Sequence, residues 1–163
     1  MDIGYFSHMP LLVAATVVTT GPVLELGAGL GSTLALHGIC GVQCRDLTTI
    51  ESDESWICKF VQYGRPWHKF KLVNDFKNIP EYEMQWGLAF IDHGIPEQRS
   101  LSAMALSDVP IVILHDTCHA RLYGYEEVIP KFKYSWNYRI MLPQTTVVSN
   151  SIDVGSLFAR MAL

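Results

Sequence analysis

The chain has 163 residues, 49% hydrophobic and 17% charged, which suits a single globular domain over 1–163 with a sizeable buried core. A formal charge of −4 and the absence of any dense Lys/Arg tract remove the electrostatic basis for binding nucleic acid, so the expected partner is a small molecule. Cys40, Cys44, Cys58 and Cys118 have neither Cys-x-x-Cys spacing nor disulfide-scaffold density, which points to reduced thiols and a cytoplasmic location.

The apolar run from Pro10 to Val18 is too short to cross a bilayer and nothing basic precedes it, so neither a membrane span nor a signal peptide is expected. Ser7 as cap and Pro10 in the first turn start a helix there, and Gly21-Pro22 ends it. Next comes Val23-Leu24-Glu25-Leu26-Gly27-Ala28-Gly29-Leu30-Gly31-Ser32. An apolar run of strand length meets three alternate glycines and then a helix-like segment, the pattern of a strand, a tight turn and a helix N-terminus that approaches a ligand closely.

The spacing and the acid select the ligand. A dinucleotide fingerprint requires a glycine five residues after Gly27, where this chain has Ser32, and Gly31 comes one place early. Glu25 at the mouth of the turn would repel a pyrophosphate but suits a ligand carrying an ammonium and a sulfonium, as S-adenosylmethionine (SAM) does. Glu25-x-Gly27-x-Gly29-x-Gly31 after an apolar strand resembles the first motif of class I SAM-dependent methyltransferases, and the resemblance extends along most of the chain. It implies an α/β three-layer Rossmann-like sandwich. In that family a leading helix borders the cleft, which would bring His8 to the site, although a capping or surface histidine is the simpler reading.

A helix of roughly 31–39, ended by Gly38 or Gly41, follows the turn, with Ser32 and Thr33 capping it while their hydroxyls face the ligand. Strand two, Asp46 to Glu51, ends in an acid whose two oxygens match a ribose diol, and the resemblance gives Glu51 the same role. A helix from Asp53 to Tyr63 closes at Gly64, and strand three runs from Lys69 to Asn74. The resemblance assigns Asp75 to the adenine amino group and Phe76 to the ring, and a turn-forming Asn-Asp pair is the competing reading.

Strand four, Gly87 to Ile91, is apolar on both faces and ends in Asp92-His93-Gly94. After a helix from Pro96 to Leu106, strand five (Val109 to Leu114) ends in His115-Asp116-Thr117. Ligands of open α/β sheets bind outside the carboxyl ends of the strands, so Asp92, His93, His115 and Asp116 are the catalytic candidates, with Asp92 also near the cofactor. An imidazole titrating near neutrality can take a proton from an acceptor hydroxyl. Their bland reading is a helix cap for Asp92 and a loop-fixing pair for His115 and Asp116.

Asp92 and Asp116 also fall where catechol-type O-methyltransferases place two carboxylate ligands of a divalent ion. Thr117 in place of the expected amide ligand and Ile95 in place of a lysine count against that metal, and no metal site is assigned. A helix from Tyr123 to Phe132, with Tyr123-Gly124-Tyr125 as a candidate pocket wall, precedes two β-like runs, Tyr134 to Met141 and Thr145 to Ser149. That hairpin implies an antiparallel pair at the edge, which in the resembling fold gives a mostly parallel seven-stranded sheet of order 3-2-1-4-5-7-6. The expected function is SAM-dependent O-methylation of a small molecule. An NAD-dependent oxidoreductase and a non-catalytic SAM-binding module are the alternatives, and the short connections leave the pocket open to completion by a second copy of the chain.

Overall fold

The computed structural model describes residues 6–159. Seven strands form one sheet in the order β3-β2-β1-β4-β5-β7-β6, as expected. Strands β1 (Val23–Leu26), β2 (Leu47–Glu51), β3 (His68–Leu72), β4 (Leu88–Ile91) and β5 (Val112–Leu114) are parallel. Strand β7 (Thr145–Ser149) runs antiparallel to both β5 and β6 (Tyr134–Tyr138).

Successive side chains point to opposite faces, and both faces are covered. On one, Leu24, Leu26, Ala89, Ile91, Val112 and Leu114 pack with Ala103 of α4 (Arg99–Ala105) and with Tyr125 and Val128 of α5 (Tyr125–Val128). On the other, Val23, Leu47, Leu88, Phe90 and Ile113 pack with Leu11 and Leu12 of α1 (Met9–Val18), Leu36 of α2 (Ser32–Val42) and Phe158 of α6 (Val154–Phe158). Hence β1 and β4 read as unbroken apolar runs, with one exception: Glu25 is buried with its neighbours.

Several elements differ from the sequence reading. Helix α1 has no side-chain cap, because the Ser7 hydroxyl donates instead to the Pro143 carbonyl at 2.7 Å and ties the helix start to the β6–β7 connection. Its last carbonyls are taken by the buried Arg45 guanidinium, which donates to Thr16 O and Thr19 O. Helix α2 continues through Gly38 and Gly41 to Val42; a side chain at Gly41 would strike the Trp67 ring, so this glycine makes room for packing and does not stop the helix.

The expected 53–63 helix reduces to α3 (Glu54–Ile57), capped by Asp53 accepting the Trp56 N–H at 3.0 Å, and a 3₁₀ turn at Val61–Tyr63. The 96–106 helix opens as a 3₁₀ turn before α4, and the 123–132 helix keeps only α5 and a following 3₁₀ turn. All four cysteines are free, and no described helix is long and apolar enough to cross a membrane.

Gly27 holds the turn after β1. Its φ is +98°, and a Cβ there would lie 2.5 Å from the backbone of Asp92 and His93. We predict that Gly27→Ala destabilises the fold by about 2–5 kcal/mol through left-handed strain and overpacking. Urea unfolding measures this, and a loss below about 1 kcal/mol would show that the two strand tips can part freely.

Candidate functional site

Strand register assembles the site. Leu26 is level with Ile50 and with Ile91, and Ile91 is level with Leu114. The next residues along those strands, Gly27, Glu51, Asp92 and His115, therefore form a row at the carboxyl ends. A cleft of about 460 Å³ opens over this row, a volume typical of small-molecule sites.

Ala28, Gly29, Leu30, Glu51, Asp53 and Trp56 line one half of the cleft. Glu51 Oε2 accepts the Ala28 N–H at 2.9 Å, while Oε1 accepts the N–H groups of Ser52 at 2.6 Å and Asp53 at 3.0 Å. The Ser52 hydroxyl donates to Oε1 as well at 3.3 Å, so the carboxylate is fixed in position and Oε2 is the oxygen that keeps a lone pair for a ligand. Trp56 Nε1 donates to the Ala28 carbonyl at 2.6 Å and clamps the turn from the other side. The sequence reading gives Trp56 no site role; its place five residues past the β2 acid, in the first helix after that strand tip, was the available signal.

Glu25 is below the turn, not at its mouth. It is fully buried, and Oε2 accepts the Thr33 hydroxyl at 2.9 Å and the Thr49 hydroxyl at 2.7 Å. Thr33 in turn accepts the Gly29 N–H at 2.9 Å, so the acid supports the turn through a bridging hydroxyl. Burial pushes the Glu25 carboxyl up to about 7, against the pull of the Thr49 and Thr33 hydroxyls. Of the three glycines, Gly29 meets the cleft, whereas Gly27 abuts the β4 backbone and Gly31 lies under Phe6 and Met9. Ser32 and Thr33 are buried and do not face the ligand space.

The other half of the cleft is lined by His8, Asp92, Gly94, Arg99, His115 and Asp116. Arg99 stands between the two carboxylates, donating to Asp92 Oδ1 at 2.9 Å and Asp116 Oδ2 at 3.0 Å. A guanidinium therefore fills the space and supplies the charge that a catechol-type divalent ion would bring, and the Asp92 and Asp116 pair does not fit such an ion. Burial and the Asp116 and Glu25 charges raise the Asp92 carboxyl above the ordinary range, with Arg99 opposing them. Tyr123 stacks over the guanidinium at 4.3 Å, so the Tyr123 to Tyr125 segment backs Arg99 and is no wall of the cleft. Arg99 was missed as a site residue, since a single arginine on a helix reads as surface until its burial is known.

The two histidines part company. His115 lines the cleft, with Nδ1 3.2 Å from the Thr145 hydroxyl and Nε2 3.4 Å from Asp116 Oδ1. Burial lowers its pKa to about 4. His93 points into the core, fully buried, stacked on Phe76 at 3.9 Å and 9°, with Nε2 3.1 Å from the Ser102 hydroxyl. The expectation that His93 is a base is corrected: no face of the ring reaches the cleft. Phe76 is corrected with it, because a fully buried ring stacked on His93 has no surface for adenine. Asp75 is exposed, accepts the Lys77 N–H and does not join the cleft.

His8 also departs from its simpler reading. It is 3% exposed, lines the cleft and packs on Phe90 and edge-on to His115 at 4.6 Å. Burial lowers its pKa to about 3.

No family model matches the chain, and no curated protein matches it in sequence. Its backbone is similar to those of solved methyltransferases. The SAH-bound methyltransferase PaMTH1 of Podospora anserina superposes with a TM-score of 0.60 at 14% identity, over 85% of this chain and 76% of that one. Precorrin-6y C5,15-methyltransferase of Geobacter metallireducens gives 0.58 at 9% identity, over 87% of each chain. The N-methyltransferase NodS of Bradyrhizobium japonicum gives 0.56 at 12%, over 90% and 96%. At these identities the likeness is one of fold, and the chain has the class I methyltransferase fold.

His93 yields a pH prediction. Burial lowers its pKa to about 3 in the fold, so between about 6.5 and that value the unfolded chain binds a proton that the native one does not. Stability should therefore fall as pH drops below about 6.5, by about 1.4 kcal/mol per pH unit for this histidine. Glu25, raised to about 7, works in the opposite direction. In His93→Phe the acid slope of unfolding free energy should shrink by about one proton; an unchanged slope would contradict a neutral buried imidazole.

Proposed function

We propose that the protein is a SAM-dependent methyltransferase acting on the hydroxyl of a small-molecule acceptor. The observation that carries this reading is the pairing of two unlike halves in one cleft: a glycine turn with a fixed acid, Glu51, beside a buried His115 and the half-buried Asp92 and Asp116 at the β4 and β5 tips. A ribose hydroxyl donates to Glu51 Oε2, and the nucleoside lies across the β1 and β2 tips. Glu51 and Asp116 together outweigh Arg99 in charge and favour a cationic sulfonium in the cleft.

Methyl transfer is an in-line displacement in which the acceptor oxygen forms a bond to carbon as the carbon–sulfur bond breaks and a neutral thioether leaves. The chain's task is to hold the two reactants in line. With Nδ1–H donating to Thr145, His115 Nε2 keeps a lone pair able to take the hydroxyl proton, and Asp116 beside it stabilises the resulting imidazolium. A cleft of about 460 Å³ has to hold both the nucleoside and the acceptor's reactive end, which suits a small acceptor.

Two substitutions test the two halves separately. Glu51→Ala should weaken binding of S-adenosylhomocysteine by about 1.5–3 kcal/mol in calorimetry through lost charged hydrogen bonds, and an unchanged dissociation constant removes Glu51 from the ribose. His115→Ala should lower turnover by about a hundredfold or more while leaving that affinity within about twofold. Undiminished turnover would exclude His115 from the reaction.

A further inference from the structure

His8 is the least explained polar group in the cleft. Its ring is 3% exposed, and neither Nδ1 nor Nε2 has a hydrogen-bond partner among the described residues. A neutral imidazole has one donor and one acceptor to satisfy, and burying both unpaired is costly unless a ligand completes them. Asp92 and His115 beside it also carry lone-pair donors. One ligand atom each from His8, Asp92 and His115 lies within 4.8 Å of the others.

We infer that His8, Asp92 and His115 form a binding site for one divalent transition-metal ion, such as Zn²⁺, Co²⁺ or Fe²⁺. Two imidazoles and one carboxylate with open positions toward a cleft are a donor set that such ions take up, whereas magnesium and calcium demand oxygen ligands. The set is distinct from the Asp92 and Asp116 pair, which Arg99 bridges; Arg99 engages Asp92 through Oδ1 alone. The His115 ring is oriented from behind by the Thr145 hydroxyl on Nδ1, as ligating histidines are commonly held by their second nitrogen. Packing against Phe90 and His115 fixes the His8 ring.

The site's existence does not depend on methyl transfer, but its role rests on that reading. An ion there would lower the pKa of an acceptor hydroxyl entering its open position, and His115 would then serve as a ligand in place of the proton acceptor.

Co²⁺ titration of untagged protein near neutral pH, read by visible absorbance and by competition with Zn²⁺, tests the proposal. The expected result is saturation at one equivalent, with d–d bands and no thiolate charge-transfer band, the latter being the mark of the exposed Cys44, Cys58 or Cys118. His8→Gln and His115→Gln should each weaken binding by at least about tenfold to a hundredfold, while His37→Ala, which breaks the His37–His68 pair, should leave it unchanged. No saturable binding, a thiolate band, or undiminished wild-type affinity in the two glutamine variants would overturn the site. Calorimetry of S-adenosylhomocysteine on the same samples separates the two readings: retained nucleoside binding with no metal uptake defeats this inference alone. Retained nucleoside affinity in His8→Gln also shows that the variant is folded.

Discussion

The structure depends on one close approach, that of the Gly27 α-carbon to the peptide joining Asp92 and His93. A φ of +98° turns the chain back over the sheet, and the missing side chain lets the two backbones meet where a Cβ would lie 2.5 Å away. Two hydrogen bonds flank the contact: the Asp92 N–H donates to Leu26 O at 2.7 Å and the Gly27 N–H to Ile50 O at 2.8 Å. The tips of β1, β2 and β4 are thus locked together, and the distance between the two halves of the cleft is set by backbone.

The electrostatics follow from that geometry. Four carboxyl groups, those of Glu25, Glu51, Asp92 and Asp116, gather around the strand tips, and the fold handles each differently. Glu25 is buried beneath hydroxyls, with burial favouring its neutral form; Glu51 is held by three backbone N–H groups. Asp92 and Asp116 share Arg99. The result is a cleft with excess negative charge over two buried, neutral imidazoles, an environment suited to a cationic ligand.

Most of the fold was legible in the sequence because the central strands are covered on both sides: β1, β4 and β5 appear as short apolar runs, and the acid ending β2 stands out. The pairs at the strand tips were less legible, because Asp92-His93 and His115-Asp116 look alike as letters. Register separates them. The first residue past Ile91 is Asp92 and the first past Leu114 is His115, so His93 falls one place later and turns into the core. Asp116 escapes the same fate through a left-handed backbone, φ 60°, which returns its carboxylate to the cleft. No local pattern shows that parity.

Asp75 and Phe76 were misplaced because β3 stops at Leu72, before the residues assigned to its tip. His8 reached the site only through the family resemblance, since the residues themselves read more simply as a capping or surface histidine. It is held at the cleft by tertiary packing, with Ser7 bonded to Pro143 across 136 positions of sequence, a contact that composition and periodicity cannot show. Arg99 is a buried cation whose partners lie 7 and 17 residues away on two strand tips.

The central claim is that the cleft accepts a thioether nucleoside, and thermal unfolding of the purified protein with S-adenosylhomocysteine or NAD tests it most directly. A ligand that binds the native state at about 100 times its dissociation constant stabilises it by about 2.7 kcal/mol. The account predicts a saturable rise in melting temperature with S-adenosylhomocysteine and none with NAD. Stabilisation by NAD, or indifference to both, would contradict it.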